Sequence, residues 1–169
     1  MARGAPLTIR LDWFSIQLDS GEELMVYHIR DSQGRPSDFS SGTFVDALGH
    51  STSLARADFQ LSATDYWRSP HNGTIYPSGW RLEVPRRQID LQITPTLKDQ
   101  ELDTRGTTMI VYWEGSCQVT GTRDNQPATG RAYVELVGYD RSHEQPSLTA
   151  FVLGPDFDRK WGRLFGGGR

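Results

Sequence analysis

Between Asp12 and Tyr139 the chain is one succession of short, aromatic-rich segments in which apolar and polar residues alternate, each closed by glycine, proline, asparagine or aspartate. A period of two marks strands with one buried face, and a long series of such strands punctuated by turns reads as an antiparallel sheet rolled on itself. Rolling removes the sticky edges of the sheet and leaves an interior wide enough for one small apolar ligand. The predicted class is therefore all-β, an antiparallel barrel that acts as a container.

The local signals place the strands. Phe14, Ile16 and Leu18 alternate with Ser15, Gln17 and Asp19, and the run Leu24 to Arg30 follows the turn at Asp19-Ser20-Gly21-Glu22, which predicts a hairpin. After a polar loop at 31–36, strands are expected over 42–48, 53–61, 80–84 and 88–95. The stretch from Trp67 to Trp80 contains Pro70, Asn72-Gly73, Pro77 and Gly79 and reads as a long loop. Segment 97–102 reads as a connection, and 107–120 with 130–140 as the two clearest strands. Pro155 at a first helical turn, with Phe157, Trp161, Leu164 and Phe165 on one helical face, predicts a short C-terminal amphipathic helix before Gly166-Gly167-Gly168. The expected organisation is a leader over 1–10, one barrel domain over 11–141, and a connector, short helix and flexible glycine-rich end over 142–169.

Bulk properties exclude several classes. A chain of 169 residues supports one well-buried core. A formal charge of −3 and a sequence pI near 5.8, with no basic stripe, argue against a nucleic-acid partner. Cys117 is the only cysteine, so no internal disulfide forms, and it reads as a small apolar core residue. His28, His50, His71 and His143 lack metal-ligand spacing, so no metal is expected. No phosphate-binding glycine loop or nucleophile elbow occurs, and no cofactor is expected. The chain shows neither a signal-peptide core nor a transmembrane run. A soluble protein is expected, cytoplasmic by default, with an exported longer parent as the alternative.

The last hairpin permits a register argument. A connection centred on Asn125-Gln126 sets Gly121 opposite Gly130, and pairs Tyr112 with Tyr139, Glu114 with Val137, Ser116 with Glu135 and Gln118 with Tyr133. Both glutamates then share a face with three tyrosines, while Trp113, Cys117, Val119, Ala132, Val134 and Leu136 occupy the other. One reading turns the tyrosine/glutamate face to solvent, and this is favoured. The sharper reading turns it inward. A glutamate in an apolar cavity is penalised as a charge, stays protonated near neutrality, and can protonate an alkene whose cation the aromatic rings stabilise. Glu101 and Asp65 are alternative acids, each beside a connection and expected to be exposed. His28 is an acid or base if it points inward, although an outward histidine is favoured.

The segments Asp12 to Asp19, Glu23 to Tyr27, Tyr76-Pro77-Ser78-Gly79-Trp80, Tyr112-Trp113-Glu114-Gly115 and Tyr133 to Tyr139 together resemble the AttH-like lipocalin family that includes the carotenoid 1,2-hydratases. The resemblance implies a lipocalin-like (calycin-type) barrel and two such halves in a full-length member, of which this chain is similar to the second. It implies a hydro-lyase that adds water to a terminal isoprenoid double bond without a redox cofactor, in carotenoid biosynthesis. The family's Asp-His-Glu-Trp-Gly segment, which precedes the second half, has no counterpart in this sequence. Tyr27 carries over as site lining. The expected catalytic set is thus Glu114, Glu135 and Tyr27, with Tyr112, Tyr133, Tyr139, Trp80, Trp113 and His28 against an apolar ligand. The alternatives are a noncatalytic lipid- or polyketide-binding module, and a half-domain that pairs with a second lipocalin-like domain or with itself.

Overall fold

The computed structural model describes residues 10–31, 33–108 and 110–140, so the expected C-terminal helix and nearly all of the leader lie outside the described residues. Among the described residues ten strands follow one another: β1 Arg10–Leu18, β2 Glu23–Arg30, β3 Ser41–Val45, β4 Ser51–Ala55, β5 Gln60–Arg68, β6 Ile75–Val84, β7 Ile89–Pro95, β8 Glu101–Asp103, β9 Val111–Arg123 and β10 Gln126–Val137. They form one sheet in the order β4-β3-β2-β1-β10-β9-β7-β6-β5, with β8 also paired to β9. Every pairing is antiparallel. Among the described residues no ladder joins β4 to β5; a single 3-10 turn, Arg56–Asp58, carries the chain between these edge strands.

Alternation decides what fills the middle. Phe14, Ile16 and Leu18 of β1, Leu24 and Val26 of β2, and Phe44 of β3 face Leu82, Val84, Leu91, Ile93, Val119 and Val134 from the other strands in one cluster. Removing such side chains from water supplies roughly 1.5–3 kcal/mol each, which holds the rolled sheet closed around its own interior. Cys117 belongs to this cluster, as expected, and burial pushes its thiol up to about 12. No helix among the described residues is long and apolar enough to cross a membrane.

The structure corrects three local expectations. The stretch 67–80 is mostly strand, because β5 runs to Arg68 and β6 starts at Ile75. Pro77 is tolerated there for two reasons. The β5–β6 register is irregular beside it, and β7 pairs only with Trp80–Val84, leaving this part of β6 with one neighbour among the described residues. The expected strand over 53–61 is split by the 3-10 turn. The last hairpin turns at Asp124-Asn125, both in the left-handed region at φ 51° and 60°, as a two-residue hairpin of the favoured hand requires. Gly121 therefore faces Ala128, and Glu135 faces Glu114 directly. The slip is two residues, one full period, so the partners change and the faces do not, except at Tyr139: it lies past the end of β10, beyond Gly138 at φ 82°, and is buried instead of sharing the face of the glutamates.

Glycine is required where two strands approach closely. A Cβ on Gly130 would lie 2.9 Å from Leu18 Cα and closer still to the Gln17 carbonyl oxygen, both backbone atoms of β1. Gly130→Val should therefore destabilise the protein by about 1–3 kcal/mol. Thermal unfolding followed by circular dichroism checks this, and an unchanged Tm would show that β1 and β10 separate more easily than their packing indicates.

Candidate functional site

Polar and aromatic groups converge at the end of the barrel where β1 begins and β2 ends. Asp12 follows the parity of Phe14 and faces inward, 2% exposed. His28 follows Leu24 and Val26 and is 6% exposed, so the outward histidine that the sequence favoured is an inward one. Its Nδ1 lies 3.8 Å from Asp12 Oδ2. Arg30 donates to Asp12 and to the Tyr139 hydroxyl, and that hydroxyl donates to Asp12 Oδ1 at 2.6 Å. The Arg10 and Arg30 guanidinium groups lie 5.2 and 5.7 Å from the centre of the Tyr139 ring. A buried carboxylate is thus held as an acceptor by several donors at once, the condition under which a buried charge is tolerated.

A second carboxylate–tyrosine pair stands next to the first. Glu101, expected to be exposed in a connection, lies half-buried on β8 and accepts hydrogen bonds from the Tyr76 hydroxyl at 3.1 Å, from Asn72 Nδ2 at 2.5 Å and from Ser69 Oγ. The Tyr76 and Tyr139 rings are 5.5 Å apart, and Tyr76 stacks on Trp67 at 6.1 Å. Burial, with the adjacent carboxylate second, raises the titration of both hydroxyls, Tyr76 through Glu101 and Tyr139 through Asp12. Both tyrosines accordingly remain neutral donors at physiological pH. Deeper in the barrel Trp80 meets Phe14 edge-on at 5.4 Å and Trp113 at 6.0 Å.

The predicted site residues divide between the two faces. His28, Tyr139, Trp80 and Trp113 are inside. Glu114, Glu135, Tyr27, Tyr112 and Tyr133 share the outer face, with Tyr27 37% and Tyr133 44% exposed. Parity explains the split, since these five are odd on β2 and β10 and even on β9, opposite to the residues of the core cluster. An inward orientation of Glu114 and Glu135 is thereby overturned, and the two stand side by side on an outer row running Tyr27, Trp13, Glu135, Glu114. Tyr133 donates to Glu114 Oε1 at 2.9 Å. Asp65 is exposed, as expected, and its bond from Lys98 at 2.9 Å lowers its titration. Sequence reasoning missed Asp12, Arg30 and Tyr76 as site residues. Their signal was parity with the aliphatic positions of β1, β2 and β6.

Comparison with known proteins bears on this arrangement. The family described as AttH-like matches residues 5–139. No curated protein matches the chain. A protein of Nitrosomonas europaea assigned provisionally as an AttH superposes with a TM-score of 0.70 at 35% identity, over 83% of this chain and 42% of its own. Kievitone hydratase from Nectria haematococca superposes with a TM-score of 0.63 at 18% identity, over 81% of this chain and 41% of its own, a likeness of fold. The barrel is of the lipocalin-like type that the sequence predicts, and the chain spans about two fifths of each of these proteins.

The paired glutamates of the outer face give a pH signature. Partial burial first, and the Glu114 charge second, raise the Glu135 carboxyl. A raised carboxyl favours the folded state fully below the unfolded value of about 4.3, and that contribution is lost as pH rises through the folded value. Glu135→Gln should consequently stabilise the protein at pH 7 by roughly 0.2–1 kcal/mol, with no difference near the acid end where both forms are neutral. Equal Tm differences between variant and wild type at both ends of the pH range would rule out the repulsion.

Proposed function

This chain belongs to the AttH-like family, and from that membership we propose a lipocalin-like domain that takes a long apolar ligand of isoprenoid or carotenoid type into the polar end of its barrel and hydrates it. The observation that carries the reading is the inward Asp12–His28–Tyr139 group set beside aromatic rings. Hydration of an alkene needs a proton donor, a shield for the cation and a water. His28, steadied by Asp12, gives a proton to one alkene carbon; the ring faces of Tyr76 and Tyr139 stabilise the cation on the other. Water adds there and loses its proton to the imidazole, which restores the starting state. Phe39 and Leu97 are strongly exposed on loops at this same end, which favours access by an apolar molecule.

The outer row favours a second reading alongside the first. Leu11 and Val137 are buried although they lie on the outer face, with Trp13, Tyr27, Tyr112 and Tyr133 around them. In a longer relative this face would meet the other lipocalin-like half, and Glu114, Glu135 and Tyr27 would serve that contact rather than chemistry.

Incubation of the purified chain with an acyclic carotene, alone and with a supplied first-half domain, should give a product one water heavier. His28→Gln should slow its formation by about 100-fold or more, and Tyr139→Phe should slow it while leaving the fold intact. Ligand bound but unchanged by wild type and variants alike would assign the chain to noncatalytic lipid or polyketide binding.

A further inference from the structure

The outer face of β1, β10 and β9 has an acidic end and a basic end, separated by one row of side chains. Along β10 the outward residues run Arg131, Tyr133, Glu135. Across the sheet Glu135 stands between Trp13 and Glu114, Tyr133 between Ser15 and Ser116, and Arg131 between Gln17 and Gln118.

Neither end is complete within one copy. Glu135 and Glu114 are directly opposed, which costs stability in an antiparallel pair, and the half-buried Glu135 carboxyl is raised accordingly. Tyr133 donates to Glu114, but no cation among the described residues bonds to either glutamate. Arg131 is exposed, with no ion pair or hydrogen bond among the described residues. It lies four residues from Glu135 on the same strand, roughly 13 Å along it, so the two side chains do not meet within the chain.

An identical face brings them together. A two-fold axis lying in the contact plane along the row Ser15, Tyr133, Ser116 sets each strand against its own copy in reverse. Arg131 of one copy then faces Glu135 of the other, Gln118 faces Glu114, and Gln17 faces Trp13, each contact occurring twice as an isologous interface requires. The sheets meet with their strands aligned, one of the ordinary ways in which sheet faces pack. A recess of about 220 Å³ lined by Ser15, Gln17, Arg131, Ala132 and Tyr133 lies where the partner's Trp13 descends. An axis along the strands would instead lay Glu135 on Glu135, so the charges select between the two orientations. Tryptophan, tyrosine and arginine are also the residues in which protein interfaces are enriched.

Resting on the reading that this outer face is a contact surface rather than a catalytic one, we infer that its partner is a second copy of this chain, docked about that two-fold axis with Arg131 of each copy set against Glu135 and Glu114 of the other.

Sedimentation velocity over a concentration series of the full chain tests this. The wild type should dimerise. Arg131→Glu or Glu135→Arg alone should weaken the dimer by about 100-fold or more, because each sets like charges together at two places. The chain carrying both substitutions, and the equimolar mixture of the two single variants, should dimerise to within about tenfold of the wild type. Recovery in the mixture separates a lost contact from a lost fold, since a misfolded variant recovers nothing. A wild type that stays monomeric, a dimer indifferent to both charge reversals, or a double variant no tighter than the single ones overturns the inference. A supplied first-half domain distinguishes this failure from that of the underlying reading. A monomeric chain that binds the domain through this face overturns the second copy and leaves the contact surface standing; one that binds neither overturns both. The stabilisation expected of Glu135→Gln at pH 7 belongs to the single copy and is read below the dissociation constant of the dimer, where no partner's Arg131 reaches the pair.

Discussion

One continuous antiparallel sheet, rolled so that a single face is enclosed, positions most of the candidate site residues among the described residues. Side chains alternate strictly along each strand, so the aliphatic positions of a strand also determine which of its polar residues are carried inside. On β2 the parity that buries Leu24 and Val26 buries His28, and on β1 the parity of Phe14 and Ile16 buries Asp12. The charged end of the barrel follows from the same packing that makes its greasy centre.

Taking these charges out of water is tolerated because they are matched. Asp12 accepts from Arg30 and Tyr139, and Glu101 accepts from Tyr76, Asn72 and Ser69, so each carboxylate sits among neutral or positive donors. The tyrosines in turn are kept protonated by burial and by the carboxylates they serve.

Much of the architecture was legible from pattern alone. The β1–β2 hairpin, the two long strands at the end of the domain and the sharing of one face by Glu114, Glu135, Tyr112 and Tyr133 all follow from alternation and turn chemistry. The misses have local causes. The residues of 67–80 read as a loop because Pro77 and Gly79 are turn residues by composition, yet they lie in a strand that has a single neighbour there and an irregular register. The final register slipped by one full period because Asp124-Asn125 and Asn125-Gln126 are both plausible turn centres, and only the left-handed backbone at the first pair distinguishes them.

By itself the sequence determined the strand class, the approximate strand list and the grouping of side chains into faces, because each of these depends on neighbours two to four residues apart. Which of the two faces became the interior was decided by the tertiary structure. Both faces of the last hairpin carry large apolar side chains, so no local count separates them. The choice is made by the summed burial of β1, β2, β6 and β7 with one face of β9 and β10, contacts between residues as distant as Phe14 and Trp80. That sum turned Glu114 and Glu135 outward and brought Asp12, His28, Tyr76 and Tyr139 together inside.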